Sequence, residues 1–181
     1  MPQWAKTYPL NPIKHQACKE FVEKHLKTRK ISPSKSSQAA PIFFIKKKKA
    51  GKLCPCQDYQ YLNSHTIKNT YPLPLISDLV DKLQESLIFT KFNVWWGYNN
   101  VLIKPEDQWK AAFTTPLGLF ELNIMFFGMY NSPAIFQAFM ENHFEDYTTE
   151  GWLVIYMDNL LIHSLNQEIH HECTQKVLQR F

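Results

Sequence analysis

The segment Trp152-Leu-Val-Ile-Tyr156 runs without a polar residue into Met157-Asp158-Asn159, and the chain then returns through Leu160-Leu-Ile-His163. Two short apolar runs separated by turn formers read as a β-hairpin whose strands are buried in a sheet. A tight hairpin turn projects its polar residues out of the packed sheet, and this is one way a fold holds a metal-binding carboxylate rigidly. Asp and Asn are equally at home in an ordinary turn, where their side chains bond the local backbone. Residue chemistry leaves both readings open.

The rest of the chain supplies elements for this hairpin to pack against. Asn11 and Pro12 form an N-cap and first-turn pair, and Ile13, Ala17, Phe21, Val22 and Leu26 follow at helical spacing. A polar linker over 32–38 leads to a strand at Pro41–Ile45. A lysine-rich turn and a return strand over 53–59 complete a second hairpin. Pro72 and Pro74 open a helix striped with Leu75, Ile76, Leu79, Val80 and Leu83. Strands are expected over 87–94, 101–103, 110–114 and 120–126, with Trp95-Trp96-Gly97 breaking the first and Trp96 expected to pack inside. Ser132 and Pro133 cap a helix to about Phe144, and Asn166 starts another with Ile169, Cys173 and Val177 at a spacing of four. Hairpins mixed with helices give an α+β fold class.

Charge is unevenly placed. Thirteen of the 20 Lys and Arg fall in residues 1–52, where Glu20 and Glu23 are the only acids. A basic N-terminal region peaking at Lys46, Lys47, Lys48 and Lys49 fits a polyanionic partner, although a lysine run is also an ordinary solvated face. With 45% apolar and 20% charged residues the chain is globular in composition. No apolar run has the roughly 20 residues a membrane span needs, and the N-terminus lacks a signal-type segment, so a soluble, intracellular protein is expected. Cys18, Cys54, Cys56 and Cys173 do not form a zinc-ribbon pattern. His170, His171 and Cys173 form a weak metal trio on a helix, one ligand short of a closed structural site.

Tyr156-Met-Asp-Asn159 between apolar strands resembles the Tyr-x-Asp-Asp box of reverse transcriptases. The resemblance continues in order and spacing through Asp58-Tyr59, Leu62-Asn63, Tyr71-Pro-Leu-Pro-Leu-Ile76, Phe89–Tyr98, Trp109-Lys-Ala-Ala-Phe113, Phe127-Gly128 and Asn131-Ser-Pro-Ala-Ile-Phe-Gln137. Its flavour is that of gypsy-type LTR retrotransposons, fungal ones in particular, and it covers the chain from about Tyr8 to the end. The resemblance implies a right-hand polymerase with an antiparallel palm sheet packed on helices. Fingers fall at 1–86 and 101–131, palm at 87–100 and 132–181, and the thumb is absent. It implies template-directed DNA synthesis with two Mg²⁺ ions, an RNA or DNA template–primer and dNTP as partners, no membrane contact, and a cytoplasmic or virus-like-particle location. It does not indicate an oligomeric state.

Carried over residue by residue, the resemblance places the catalytic triad at Asn93, Asp158 and Asn159, with Asp158 and Asn93 as metal ligands. It places nucleotide contacts at Tyr98 (beneath the sugar), Phe127, Gly128, Lys47 and Gln60, and nucleic-acid contacts at Lys46, Lys48, Lys49 and Gln137. The family has aspartate at all three catalytic positions, and two are amides here. An amide oxygen is a neutral dipole, a poor offset for two neighbouring dications, so Mg²⁺ binding and turnover are expected to be lost. Cys54 and Gln60 stand where relatives carry arginines, and a guanidinium fork is what suits the triphosphate. Trp95 stands where relatives usually carry arginine, and Lys49-Ala50 replaces an acidic turn. The expectation is an inactive copy of a polymerase. The alternatives are a nucleic-acid-binding module kept for its basic fingers, or a relic without function.

Overall fold

The computed structural model describes residues 8–46 and 53–181. In chain order the elements are α1 (Pro12–Lys27), β1 (Ile31–Pro33), β2 (Ala40–Lys46), β3 (Leu53–Gln57), α2 (Gln60–His65), α3 (Ile76–Leu83), β4 (Ile88–Asn93), β5 (Ala112–Thr115), β6 (Gly118–Leu122), α4 (Ser132–His143), α5 (Glu145–Thr149), β7 (Leu153–Tyr156), β8 (Asn159–Ser164) and α6 (Gln167–Arg180). They form two compact units. One joins Met1–Lys68 to Tyr98–Ser132, and the other joins Asn69–Gly97 to Pro133–Phe181. The chain first passes from one unit to the other at Lys68/Asn69, so α3 lies in the same unit as the hairpin that carries Asp158.

The first unit is a five-stranded sheet in the order β1-β6-β5-β2-β3, antiparallel except for the β2–β5 pair. Asn11 caps α1 as expected, its Oδ1 accepting the Lys14 N–H at 2.9 Å. The buried face of α1 follows the expected stripe only in part: Phe21 and Val22 are buried and Ala17 packs against the core. Cys18, Phe21, Val22 and His25 point inward at i, i+3, i+4 and i+7, while Ile13 and Leu26 are exposed. The His25 imidazole takes an inner position among aromatic rings, and the Cys18 thiol is buried in the same unit's core. Phe21 meets Phe113 and Phe126 edge-on, and His25 packs on both Phe21 and Phe126.

Three strand expectations shift. Part of the supposed 32–38 linker belongs to β1, because Ile31 is buried and pairs with Leu122, and Pro33 is tolerated at the sheet edge. Residues 101–103 contribute only the bridge Leu102↔Ile124. Strand β5 begins after a 3₁₀ segment, Pro105–Ala111, and β6 ends at Leu122. The β2–β3 hairpin forms as read, with Ile42 opposite Gln57 and Lys46 opposite Leu53, but its connecting residues lie outside those described.

The second unit is a three-stranded antiparallel sheet, β4-β8-β7. On α3 the apolar stripe is not a core face, since Leu75, Ile76 and Val80 are exposed. On α6 the inner face is His170, Cys173 and Val177, with Ile169 exposed. His170 shares hydrogen bonds with the Thr90 and Ser164 hydroxyls at 2.7 and 2.9 Å, which fastens α6 to β4 and β8. The last turn of α6 is held by the Arg180 guanidinium, forked onto the Asp146 carboxylate and lying 3.8 Å from the Tyr147 ring centre. Gly97 is required by packing, because a Cβ there would meet Phe136 Cζ at 2.6 Å. Trp96 does not pack inside as expected: it is 43% exposed with a φ of 57°, and Trp95 is 81% exposed. Among the described residues no helix is long and apolar enough to cross a membrane.

Each unit encloses one imidazole that burial pushes below its usual range. His25 Nδ1 lies 2.7 Å from the Phe21 carbonyl, near Lys24 and Lys30; His163 Nδ1 lies 2.8 Å from Ser86 Oγ, near Lys82 and His170. A His whose folded pKa is depressed binds fewer protons in the native state than in the unfolded one. Stability is therefore full above the unfolded value of 6.5 and is lost as pH falls from there towards the lower folded values. Urea midpoints should fall between pH 7.5 and 5.5. The pH slope should flatten in a His25→Gln/His163→Gln double variant, and an unchanged slope in that variant would contradict the assignment.

Candidate functional site

Strand register assembles the candidate site. In the β4–β8 pair Asn93 stands opposite Asn159, and in the β7–β8 pair Tyr156 stands opposite the same Asn159. Met157 and Asp158 are left as a two-residue turn, and Asp158 projects beside Asn93. Met157 has a φ of 53°, a conformation that primed hairpin turns require at their first central position and that a non-glycine residue adopts at a cost of about 1–3 kcal/mol.

The three side chains meet. Asn93 Nδ2 donates to Asp158 Oδ2 at 3.3 Å and to Asn159 Oδ1 at 3.2 Å. Asn159 Nδ2 donates to Asp158 Oδ1 at 3.1 Å and to the Tyr156 carbonyl at 3.4 Å. Both carboxylate oxygens of Asp158 thus accept from amides, and the cluster carries one formal negative charge. In a two-cation site the groups facing such a carboxylate are metal ions flanked by further anionic oxygens. This donor set does not fit a two-Mg²⁺ centre. The weak trio on α6 fits no metal either: His170 is committed to Thr90 and Ser164, and His171 Nε2 is paired with Gln175 at 2.9 Å. Among the described residues no three His, Cys, Asp or Glu side chains converge on a metal position.

Gln137 is placed differently from the sequence expectation. It is 0% exposed, so it has no surface to offer a nucleic acid in this structure. Its Nε2 donates to the Ile155 carbonyl at 3.1 Å, and its Oε1 accepts the Met157 N–H at 2.6 Å. The side-chain amide behaves as a neighbouring peptide group on the open edge of β7, bridging residues on either side of Tyr156. Its second N–H goes to Glu141 Oε1 at 2.7 Å. No periodicity marks such a role, because a buried glutamine on a helix looks like a surface residue until its partners are known.

The other expected site residues lie in the first unit. Tyr98 is half-buried and meets the exposed Phe127 ring edge-on, with centroids 5.1 Å apart. Gly128 adopts a φ of 99°, and its carbonyl accepts from Asn63 Nδ2 at 2.7 Å while Asn63 Oδ1 accepts the Tyr130 N–H at 2.8 Å. Asn63 therefore clamps the turn that presents Phe127 and Gly128. Gln60 is exposed, its backbone N–H donating to Asp58 Oδ1 at 3.2 Å. Lys46 is exposed at the end of β2, whereas Lys47, Lys48 and Lys49 lie outside the described residues.

Removing the amide of Gln137 tests its hold on the hairpin. Gln137→Leu leaves the Ile155 carbonyl, the Met157 N–H and the inner oxygen of Glu141 without partners. The unfolding free energy from urea titration should fall by about 1–3 kcal/mol. An unchanged value would show that the amide does not stabilise the turn.

Known proteins place this geometry in a family. The profile of the reverse transcriptase (RNA-dependent DNA polymerase) family matches residues 45–181, well over half of the chain. The Tf2-7 and Tf2-3 transposon polyproteins of Schizosaccharomyces pombe are each 39% identical to it over 175 residues, which is 97% of this chain and 13% of theirs. The chain thus spans only a small part of those relatives. Among solved structures, the prototype foamy virus protease–reverse transcriptase superposes with a TM-score of 0.84 at 22% identity, covering 99% of this chain and 24% of that one. A foamy viral protease–reverse transcriptase in complex with double-stranded DNA superposes with a TM-score of 0.85 at 19% identity, covering 99% and 31%. The α+β fold is that of reverse transcriptase fingers and partial palm, and the chain belongs to the reverse transcriptase (RNA-dependent DNA polymerase) family.

Proposed function

We propose that this chain is the fingers and part of the palm of a reverse transcriptase domain from a gypsy-type retrotransposon polyprotein, and that this copy has lost polymerase turnover. The observation that carries the second half is the Asn93–Asp158–Asn159 network, in which amide N–H groups occupy both oxygens of the one carboxylate. Phosphoryl transfer in this family uses two Mg²⁺ ions, held about 4 Å apart, and their mutual repulsion is offset by converging carboxylates. One carboxylate and two amides supply little of that offset. Gln60 adds a second deficit, since a neutral amide stands where relatives grip the triphosphate with arginine. Tyr98 and Phe127 keep the aromatic floor that the resemblance assigns to the nucleotide, and Tyr98 keeps the ring position that disfavours a 2′-hydroxyl.

Binding of an RNA or DNA template–primer is the part of the function that this copy retains. Its support is the basic N-terminal region, with Lys46 exposed at the end of β2. Phosphate contacts need no catalytic aspartate, and affinity carried by them falls with salt by about 0.9 in log–log slope per contact on duplex DNA. Replacing Lys46, Lys47, Lys48 and Lys49 with Ala should flatten that slope, and an unchanged slope would mark the run as a solvated face.

Primer extension tests turnover. The unmodified chain should extend no primer with Mg²⁺ or Mn²⁺. Restoring Asn93→Asp and Asn159→Asp alone should still give no robust extension. Activity is expected only when Gln60→Arg and the further palm and thumb segments of the relatives are added, because positioning dominates this chemistry. Robust extension by the unmodified chain would overturn the proposal.

A further inference from the structure

Gln137 is held from behind as well as in front. The Glu141 carboxylate, one turn further along α4, accepts from Gln137 Nε2 on Oε1 and from the Tyr71 hydroxyl on Oε2. Tyr71 in turn is fixed by its neighbours. Its N–H donates to Asn69 Oδ1 at 2.9 Å, and Pro72 follows it, which restricts Tyr71 to extended backbone. All of these residues lie in the second unit. A continuous path therefore runs from the strap before α3, through Tyr71, Glu141 and Gln137, to the Met157 N–H at the hairpin turn.

We propose that Tyr71 and Glu141 are positioning residues for the hairpin that carries Asp158, acting through Gln137. The argument is one of orientation. A glutamine amide can rotate by half a turn and exchange its donor and acceptor ends. Only one orientation gives an N–H to Ile155 and an oxygen to Met157. Glu141 is an acceptor at both oxygens, so it satisfies only the Nε2 end of Gln137 and fixes that orientation. Tyr71 is the donor that holds the carboxylate in place, leaving Oε1 aimed at Gln137. The turn needs this support because Met157 sits at positive φ without the freedom of glycine. A second arrangement of the amide would put a donor against the Met157 N–H and release the turn.

The proposal rests on reading this hairpin as the family's catalytic hairpin, but its test needs neither metal nor turnover. Amide hydrogen exchange would be followed residue by residue by NMR on the full chain, beside thermal unfolding, for the parent, Tyr71→Phe and Glu141→Leu. Tyr71→Phe removes one hydroxyl. Glu141→Leu removes the acceptor of both Gln137 and Tyr71. In both variants exchange at Met157 should accelerate by about fivefold to tenfold, the net worth of one hydrogen bond. Leu160 and Ile162, buried on β8, should accelerate by no more than the factor set by the loss of global stability read from thermal unfolding, and by less than Met157. Unchanged exchange at Met157 would overturn the relay, as would acceleration spread equally over the second unit, which is what a purely structural tie would give. Failure here leaves the polymerase reading intact, whereas primer extension by the unmodified chain would remove that reading and leave the relay.

Discussion

The second unit depends on the register of three short strands. Side chains alternate across a sheet, so a slip of one residue between β4 and β8 would turn Asn93 away from the turn and move Leu160 and Ile162 out of the core. Burial of those leucine and isoleucine side chains fixes the register, and the register alone brings residues 93 and 158 together. The turn then has to be made by Met157, a residue unsuited to positive φ. The buried amide of Gln137 offsets that strain by taking the place of an absent neighbouring strand on the edge of β7. Packing sets the position of the site, and one side-chain amide sets its backbone.

That geometry is indifferent to whether the cluster can do chemistry. Three carboxylates at this spacing would repel one another and call for cations. One carboxylate between two amides calls for none, because the amides provide the donors that metal ions or water would otherwise replace. The amides at 93 and 159 thus complete a hydrogen-bonded network around a single formal charge. The buried apolar side chains lie in the aromatic core of the first unit and on the strands of the second, away from the exposed Asn93.

Much of this was legible in the sequence, and what escaped follows a pattern. The apolar hairpins, the Asn11 and Asn166 caps and the helix opened by Ser132 all form where spacing and capping chemistry put them. The meeting of residues 93, 158 and 159 was legible through the family resemblance, since separation in sequence hides a cross-strand contact. Helix faces were misread where small or polar residues turn inward: Cys18 and His25 on α1, and His170 on α6. Their burial is decided by the rings, carbonyls and hydroxyls that receive them, and hydrophobicity alone does not register those partners. Gln137 escaped for the same reason, and the path behind it through Glu141 to Tyr71 spans residues too far apart for any local pattern. Trp96 was misplaced because aromatic size predicts burial only where the backbone allows it, and Trp96 sits at a φ of 57°.

The central claim is that this hairpin has the architecture of the polymerase centre without its charge. Paramagnetic Mn²⁺ added in small steps reports where a divalent ion sits, through selective broadening of nearby amide signals. In the unmodified chain the signals of residues 93–94 and 157–159 should broaden no more than those of other exposed segments. In an Asn93→Asp/Asn159→Asp variant they should be the first to vanish. Selective broadening at those residues in the unmodified chain would contradict the account, because it would show that one carboxylate and two amides hold the ion after all.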